Sequence, residues 1–274
     1  VLTEPVSSPT RATVRLMIYF LGTLFLIPFQ AVLVALRLNY AQRFPCVYHR
    51  YCCRVFGFDV QQRGTISTAS PVLFVSNHTS YIDIPVLGSL VDASFIAKAE
   101  ISDWPFFGWL ARLQRTVFVD RRGRKVADQR DEITARLVTG DSLVLFPEGT
   151  SGDGRELLPF KSALFAVAET GGDAPPLTIQ PVSITYTRLD GLPLGRALRP
   201  YLSWFGDMTL MPHLFAMLGL GRVTAAVTFH PVLDPAAYPS RKALAEACRH
   251  IVGAGVEQAR GAGKSDKAET VATS

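Results

Sequence analysis

The sequence predicts an α/β fold: a mixed, largely parallel sheet flanked by helices, preceded by an N-terminal membrane-associated helical element. Three observations predict it. Apolar runs at 72–75, 116–119 and 142–146 are short and end abruptly in polar or glycine-containing turns, as buried strands do. Stretches with helical spacing lie between them, such as Val126, Ile133 and Leu137. Residues 16–36 carry no charged side chain at all.

Residues 1–10 are rich in Pro, Ser and Thr and are expected to be disordered. A helix over 16–36 would be about 32 Å long, close to the roughly 30 Å hydrocarbon core of a bilayer. Arg11 and Arg15 precede it, and Arg37, Arg43, Arg50 and Arg54 follow it. Both flanks are therefore positive, and the positive-inside tendency places both on the cytoplasmic side. That arrangement, with Pro28 expected to interrupt the helix, favours a bent or interfacial insertion, and a simple span is the alternative. An uncleaved signal sequence is a third reading, although no small-x-small cleavage site follows. The basic and aromatic stretch 40–58 is expected at the same surface, so 11–58 is taken as one membrane-associated segment.

The domain proper is expected over 59–260. Residues 57–70 read as a polar lead into the strand at 72–75. A helix at 84–90, a strand at 94–97 and an aromatic-rich helix at 103–110 follow. That aromatic helix reads equally as core packing and as one wall of an apolar groove. After the strand at 116–119 comes the cationic run Asp120-Arg121-Arg122-Gly123-Arg124-Lys125. It is either a solvated turn or a phosphate grip. The strand at 142–146 ends in Pro147-Glu148-Gly149-Thr150-Ser151-Gly152, a turn whose glycines permit close backbone approach. A helix is expected at 160–170, and a strand at 177–186 with Pro181 marking a bulge or sheet edge. Then come an apolar helix at 208–220, a last strand at 223–229 and a helix after Ser240 carrying Leu244, Cys248, Ile251 and Val252 on one face. Residues 261–274 are expected to be a disordered tail.

The chain has 274 residues, 48% of them hydrophobic, a formal net charge of +5 and an isoelectric point near 9.1. A moderate cationic excess suits a phosphate-bearing or anionic-lipid partner. No tract of consecutive Lys/Arg long enough to favour nucleic acid is present. C-x-x-C and H-E-x-x-H patterns are absent, so no metal site is indicated. Cys46, Cys52, Cys53 and Cys248 lack the spacing of a disulfide framework and are expected as buried thiols in a reducing compartment.

Chemistry concentrates at the strand ends. Residues 76–83 read Ser-Asn-His-Thr-Ser-Tyr-Ile-Asp. His78 stands where a core strand ends, and Asp83 follows five residues later. Open α/β sheets keep their reactive groups in the crevice beyond their strand ends. A histidine acts as a base when a partner fixes its tautomer, and Asp83 is placed to hold one ring nitrogen while the other accepts a proton. On these two residues alone, a pair of polar turn side chains is the commoner outcome.

Three strand ends together carry Asn77-His78-Thr79-Ser80-Tyr81-Ile82-Asp83, Phe118-Val119-Asp120-Arg121 and Phe146-Pro147-Glu148-Gly149-Thr150, followed by Ile179-Gln180-Pro181-Val182-Ser183-Ile184. In this order the sequence resembles the glycerolipid acyltransferase family of the PlsC type. The linking pieces Ala97-Lys98-Ala99-Glu100, Pro105-Phe106-Phe107-Gly108-Trp109 and Leu158-Pro159-Phe160-Lys161 are similar too, so the resemblance covers roughly 70–190. Gln114-Arg115-Thr116 stands where a glycine is often found, which concerns the shape of the acceptor pocket.

The resemblance implies an O-acyltransferase with His78 as general base and Asp83 as its orienting partner. The lyso-lipid hydroxyl is then the nucleophile, and no acyl-enzyme forms. It also implies that Arg121 holds an acceptor phosphate and that Asn77, Lys98, Glu148, Gly149 and Thr150 complete the substrate site. The implied partners are a lyso-lipid, an acyl thioester (acyl-CoA or acyl-carrier protein) and a membrane surface, with no metal or redox cofactor. The location would be the cytoplasmic face of a bacterial inner membrane. Lysophosphatidic acid is the first expectation for the acceptor. A lyso-ornithine lipid is the second, on the weak similarity of residues 204–210 to some bacterial members. A lipid or thioester hydrolase is the rival class, disfavoured by the absence of G-x-S-x-G. A non-catalytic membrane-binding protein is the third.

Overall fold

The structure, a computed structural model, describes residues 7–119, 126–169 and 177–271, and the side chains of these except 126–131, 169 and 262–271. Helix α1 (Pro9–Ala35) starts inside the stretch expected to be unstructured, because Ser8 caps it and Pro9 occupies its first turn. Ser8 N–H also donates to the Gly219 carbonyl at 2.9 Å, which ties the start down. α1 continues through Pro28 rather than breaking there. One lost backbone bond is offset by packing on either side: Ile27 and Gln30 are both buried, and Gln30 Nε2 donates to the Ala41 and Leu113 carbonyls. Helix α2 (Phe44–Phe56) follows and closes on Gly57 in the left-handed conformation.

Strand β1 (Phe58–Arg63) lies within the stretch expected to be only a polar lead. It is an edge strand that becomes exposed towards its end, over residues 61–63, so its sequence is not apolar. Then come β2 (Val72–Ser76), α3 (Asp83–Gly88), β3 (Ser94–Lys98), α4 (Phe107–Leu113), β4 (Val117–Val119), α5 (Val126–Val138) and β5 (Leu143–Leu145). Residues Ala99–Asp103 and Ser162–Glu169 form 3₁₀ helices, the second within the helix expected at 160–170. The chain closes with β6 (Thr178–Leu189), β7 (Leu192–Pro193), α6 (Leu210–Leu218), β8 (Val223–Phe229) and α7 (Arg241–Val271), whose helix continues into the stretch expected as a tail.

The strands form one sheet in the order β1-β8-β6-β2-β5-β3-β4, with β7 on the end of β6. All described pairings are parallel except β6 with β8 and β6 with β7. β6 is therefore an interior strand, which corrects the edge reading of Pro181. The ladder with β8 begins one residue later, at Val182↔Phe229, and the register shift in β6 falls between Tyr186 and Arg188. Alternation on β2 divides the core. Val72 and Phe74 face a layer made with α1, α2, α3 and α6. Leu73 and Val75 face α5, α7 and Phe165. All four cysteines are free and buried in these layers or beside them.

α1 is long and apolar enough to cross a membrane, by length and composition. Its buried residues Ala12, Tyr19, Thr23, Ile27 and Gln30 follow one helical stripe. The opposite face exposes Met17, Leu21, Leu24, Phe25, Phe29 and Val32, with Leu21 and Leu24 at 70% and 69%. A water-facing helix would place polar groups there.

Candidate active site

The site grows from the end of β2. Beyond Ser76 the backbone stops pairing with β6, and the Asn77 side chain takes over: its Nδ2 donates to the Ile184 carbonyl at 2.9 Å, and its Oδ1 accepts from Ile184 N–H at 2.8 Å. This two-point clamp fixes the turn that carries His78. Asn77 thus acts on the backbone, and it does not line the large cavity described below. His78 Nδ1 lies 2.9 Å from Asp83 Oδ2, and Asp83 is fully buried at the start of α3. The same oxygen accepts N–H groups from Thr79 at 2.7 Å and Ser80 at 2.9 Å. The other, Oδ1, accepts the Tyr186 hydroxyl at 2.6 Å. A carboxylate so supplied with donors is an acceptor towards His78, so Nδ1 carries the proton and Nε2 is left as the base. The imidazole stacks on Phe146, centroids 4.2 Å apart and planes at 17°, which fixes its plane.

Phe146 comes from the end of β5, and the following turn has Gly149 at φ 72°, a conformation glycine adopts without strain. Gly152 N–H donates to the His78 carbonyl at 3.0 Å, joining the two strand-end turns. Glu148 is 3% exposed and points away from the large cavity. Its carboxylate accepts from His78 N–H at 2.6 Å and Leu158 N–H at 3.0 Å. The carboxylate thus braces the backbone of the turn that carries His78. Burial pushes its pKa up to about 7, with the Asp83 charge adding to the rise and the two N–H donors opposing it.

A cavity of about 330 Å³ opens at His78. Phe146, Gly149, Thr150 and Lys98 line it near the imidazole's own elements. From there its walls are apolar: Tyr19 and Ile27 of α1, Phe95 of β3, Trp104, and Leu214 of α6. The aromatic stretch after β3 and the apolar α6 are therefore groove walls as well as packing. Arg121 lies outside the described residues. Among the described residues no group of three His, Cys, Asp or Glu side chains is placed to hold a metal ion.

Tyr186 is the member that sequence reasoning missed. It is buried with its hydroxyl on Asp83, and burial raises its pKa well above the usual phenol value. The available signal was weak: a tyrosine on an apolar strand needs a partner for its hydroxyl.

A histidine held by a buried carboxylate at the mouth of an apolar cavity is an arrangement able to activate a hydroxyl beside a long apolar group. Residues 57–185 match the family model "Acyltransferase". A lyso-ornithine lipid O-acyltransferase of Brucella abortus is 44% identical over 241 residues, covering 86% of this chain and 90% of that one. A 1-acyl-sn-glycerol-3-phosphate acyltransferase of Neisseria gonorrhoeae is 32% identical over 174 residues, covering 63% and 64%. The crystal structure of the 1-acyl-sn-glycerophosphate acyltransferase PlsC from Thermotoga maritima superposes with a TM-score of 0.65 at 22% identity, over 90% of this chain and 97% of that one, and shows the same fold. The chain belongs to the PlsC-like acyltransferase family, and is an O-acyltransferase acting on lyso-lipids.

Proposed function

We propose that the protein transfers an acyl group from an acyl thioester, carried by coenzyme A or acyl-carrier protein, to the hydroxyl of a lyso-ornithine lipid. The observation that carries this reading is the His78–Asp83 pair opening into the apolar cavity. His78 Nε2 takes the acceptor hydroxyl's proton as the oxygen attacks the thioester carbonyl. Asp83 stabilises the imidazolium so formed. Collapse of the tetrahedral adduct breaks the C–S bond, and the imidazolium returns its proton to the departing thiolate. Lys98, Gly149 and Thr150 border the reacting groups, and the apolar walls take the acyl chain.

The acceptor order expected from the motifs is reversed. The lyso-ornithine relative is similar at 44% identity across nine-tenths of its length, whereas the glycerophosphate relative is similar at 32% across 64% of its length. The apolar outer face of α1 supports work at a membrane surface, and four free buried cysteines support its reducing, cytoplasmic side in a bacterial inner membrane.

The test is a competition: protein in lipid vesicles, one acyl-CoA, and equimolar lyso-ornithine lipid and lysophosphatidic acid, with products read by mass spectrometry. Diacylated ornithine lipid should dominate. Phosphatidic acid as the main product would overturn the acceptor assignment and keep the acyltransferase.

A further inference from the structure

A second, much smaller cleft adjoins the catalytic turn. His78 lines the large cavity, while its two neighbours Asn77 and Thr79 line the small cleft together with Gly154, Ser203, Arg199 and Arg260. The two hollows also share one loop, with Gly149–Ser151 on the large one and Gly154 on the small one. Trp204 links the two turns: its backbone N–H donates to the Thr79 carbonyl at 3.0 Å and its carbonyl accepts from Ser151 Oγ.

The small cleft is cationic without a matching anion. Arg260 is held in place: its guanidinium donates to the Gly154 carbonyl at 2.7 Å and the Arg155 carbonyl at 3.0 Å, and it pairs with Glu257. Its buried Nε has no partner. Arg199 is half-buried and, among the described residues, no hydrogen bond or ion pair is made by its guanidinium. Its pKa is lowered by burial and by the Arg260 and Arg196 charges nearby, with Glu257 only partly opposing. Arg199 and Arg260 line this cleft together, and Glu257 is already engaged by Arg260; two guanidinium groups so placed repel one another unless an anion joins them.

We infer that Arg199, with Arg260 beside it in the cleft, holds the phosphate of the pantetheine arm of the acyl donor, while Arg196, three residues earlier in the chain, adds positive charge. Coenzyme A and acyl-carrier protein share that phosphate, so the site serves either carrier. The proposal rests on the acyl-transfer reading. With the acyl chain in the large cavity and the thioester at His78, the arm leaves over the Thr79 rim, where the arginines begin. The cleft itself is about 30 Å³, room for about one water. The phosphate therefore sits at its mouth, between guanidinium forks, and is not enclosed.

The experiment compares wild type with R196Q/R199Q. Arg260 is kept because it braces the Gly154 loop. Donors are palmitoyl-CoA, palmitoyl-carrier protein, palmitoyl-phosphopantetheine and palmitoyl-pantetheine, the last lacking the phosphate, with lyso-ornithine lipid as acceptor. The expected result is a rise of about tenfold or more in KM for the three phosphate-bearing donors, with kcat nearly constant. The KM for palmitoyl-pantetheine stays within about twofold. Equal effects on all four donors, or none on any, would overturn the site; the first outcome would point to the membrane surface as the arginines' partner. Binding of free phosphopantetheine, measured by calorimetry, separates the two claims. Wild type that binds it while R196Q/R199Q does not supports the site whatever the turnover. Wild type that turns over all four donors without binding it keeps the acyltransferase and removes the site.

Discussion

The Tyr186 hydroxyl donates to Asp83 Oδ1 at 2.6 Å, between two buried residues. Asp83 Oδ2 serves His78 and two backbone N–H groups, while Oδ1 is held by Tyr186 and, at the longer distance of 3.3 Å, by the Thr79 hydroxyl. Removing one donor from a buried carboxylate costs roughly 1.5–3 kcal/mol. Tyr186→Phe should therefore lower kcat by roughly ten- to a hundredfold, while the acceptor KM changes little. Steady-state kinetics check it. An unchanged kcat would make Tyr186 a packing residue only.

Glu148 gives a pH dependence of stability. Its folded pKa, about 7, lies above its ordinary value near 4.5. The folded state thus prefers the protonated form. The associated stability is complete below about pH 4.5 and is lost as pH rises through about 7, a change on the order of 3 kcal/mol. Glu148→Gln should flatten this slope in denaturant unfolding followed between pH 5 and 8. A slope that persists in the variant would place its origin in another group.

The apolar cavity makes chain length a readout. Ala111 lies on its wall, so Ala111→Phe fills part of it. A buried methylene contributes about 0.8 kcal/mol, or about fourfold in kcat/KM. The variant should shift preference towards donors shorter by several carbons, read from kcat/KM across C8 to C18 acyl-CoA. An unaltered profile would mean that the chain lies elsewhere.

The exposed face of α1 predicts membrane attachment. Leu21, Leu24 and Phe25 are 68–70% exposed. Burying each in lipid contributes roughly 1.5–3 kcal/mol. Replacing all three with serine should lower partitioning onto lipid vesicles by about a hundredfold or more, as sedimentation would show. Equal partitioning would assign attachment to another surface.

The legible parts were those written in adjacent residues. The buried strands at 72–75 and 142–146 are apolar runs ended by a turn, and His78 with Asp83 is readable because α3 begins at Asp83, five residues after His78. Other features depend on distant pairing. β1 is polar because it lies at the sheet edge with its last three residues exposed, so its strand character comes from its partner β8. Pro181 looked like an edge because a proline cannot donate, yet the β8 ladder begins just past it. Tyr186 reaches Asp83 across 103 residues of sequence. Glu148 sits in the right motif, but only the fold shows that its carboxylate faces the backbone of His78.

The central claim is that His78 activates an acceptor hydroxyl for attack on an acyl thioester. It is tested most directly by thiol release from palmitoyl-CoA, with and without lyso-ornithine lipid, for wild type and His78→Ala. The account predicts release only when acceptor is present, and a loss of roughly a thousandfold or more in kcat for His78→Ala. Release that ignores the acceptor, or that survives in His78→Ala, would contradict it.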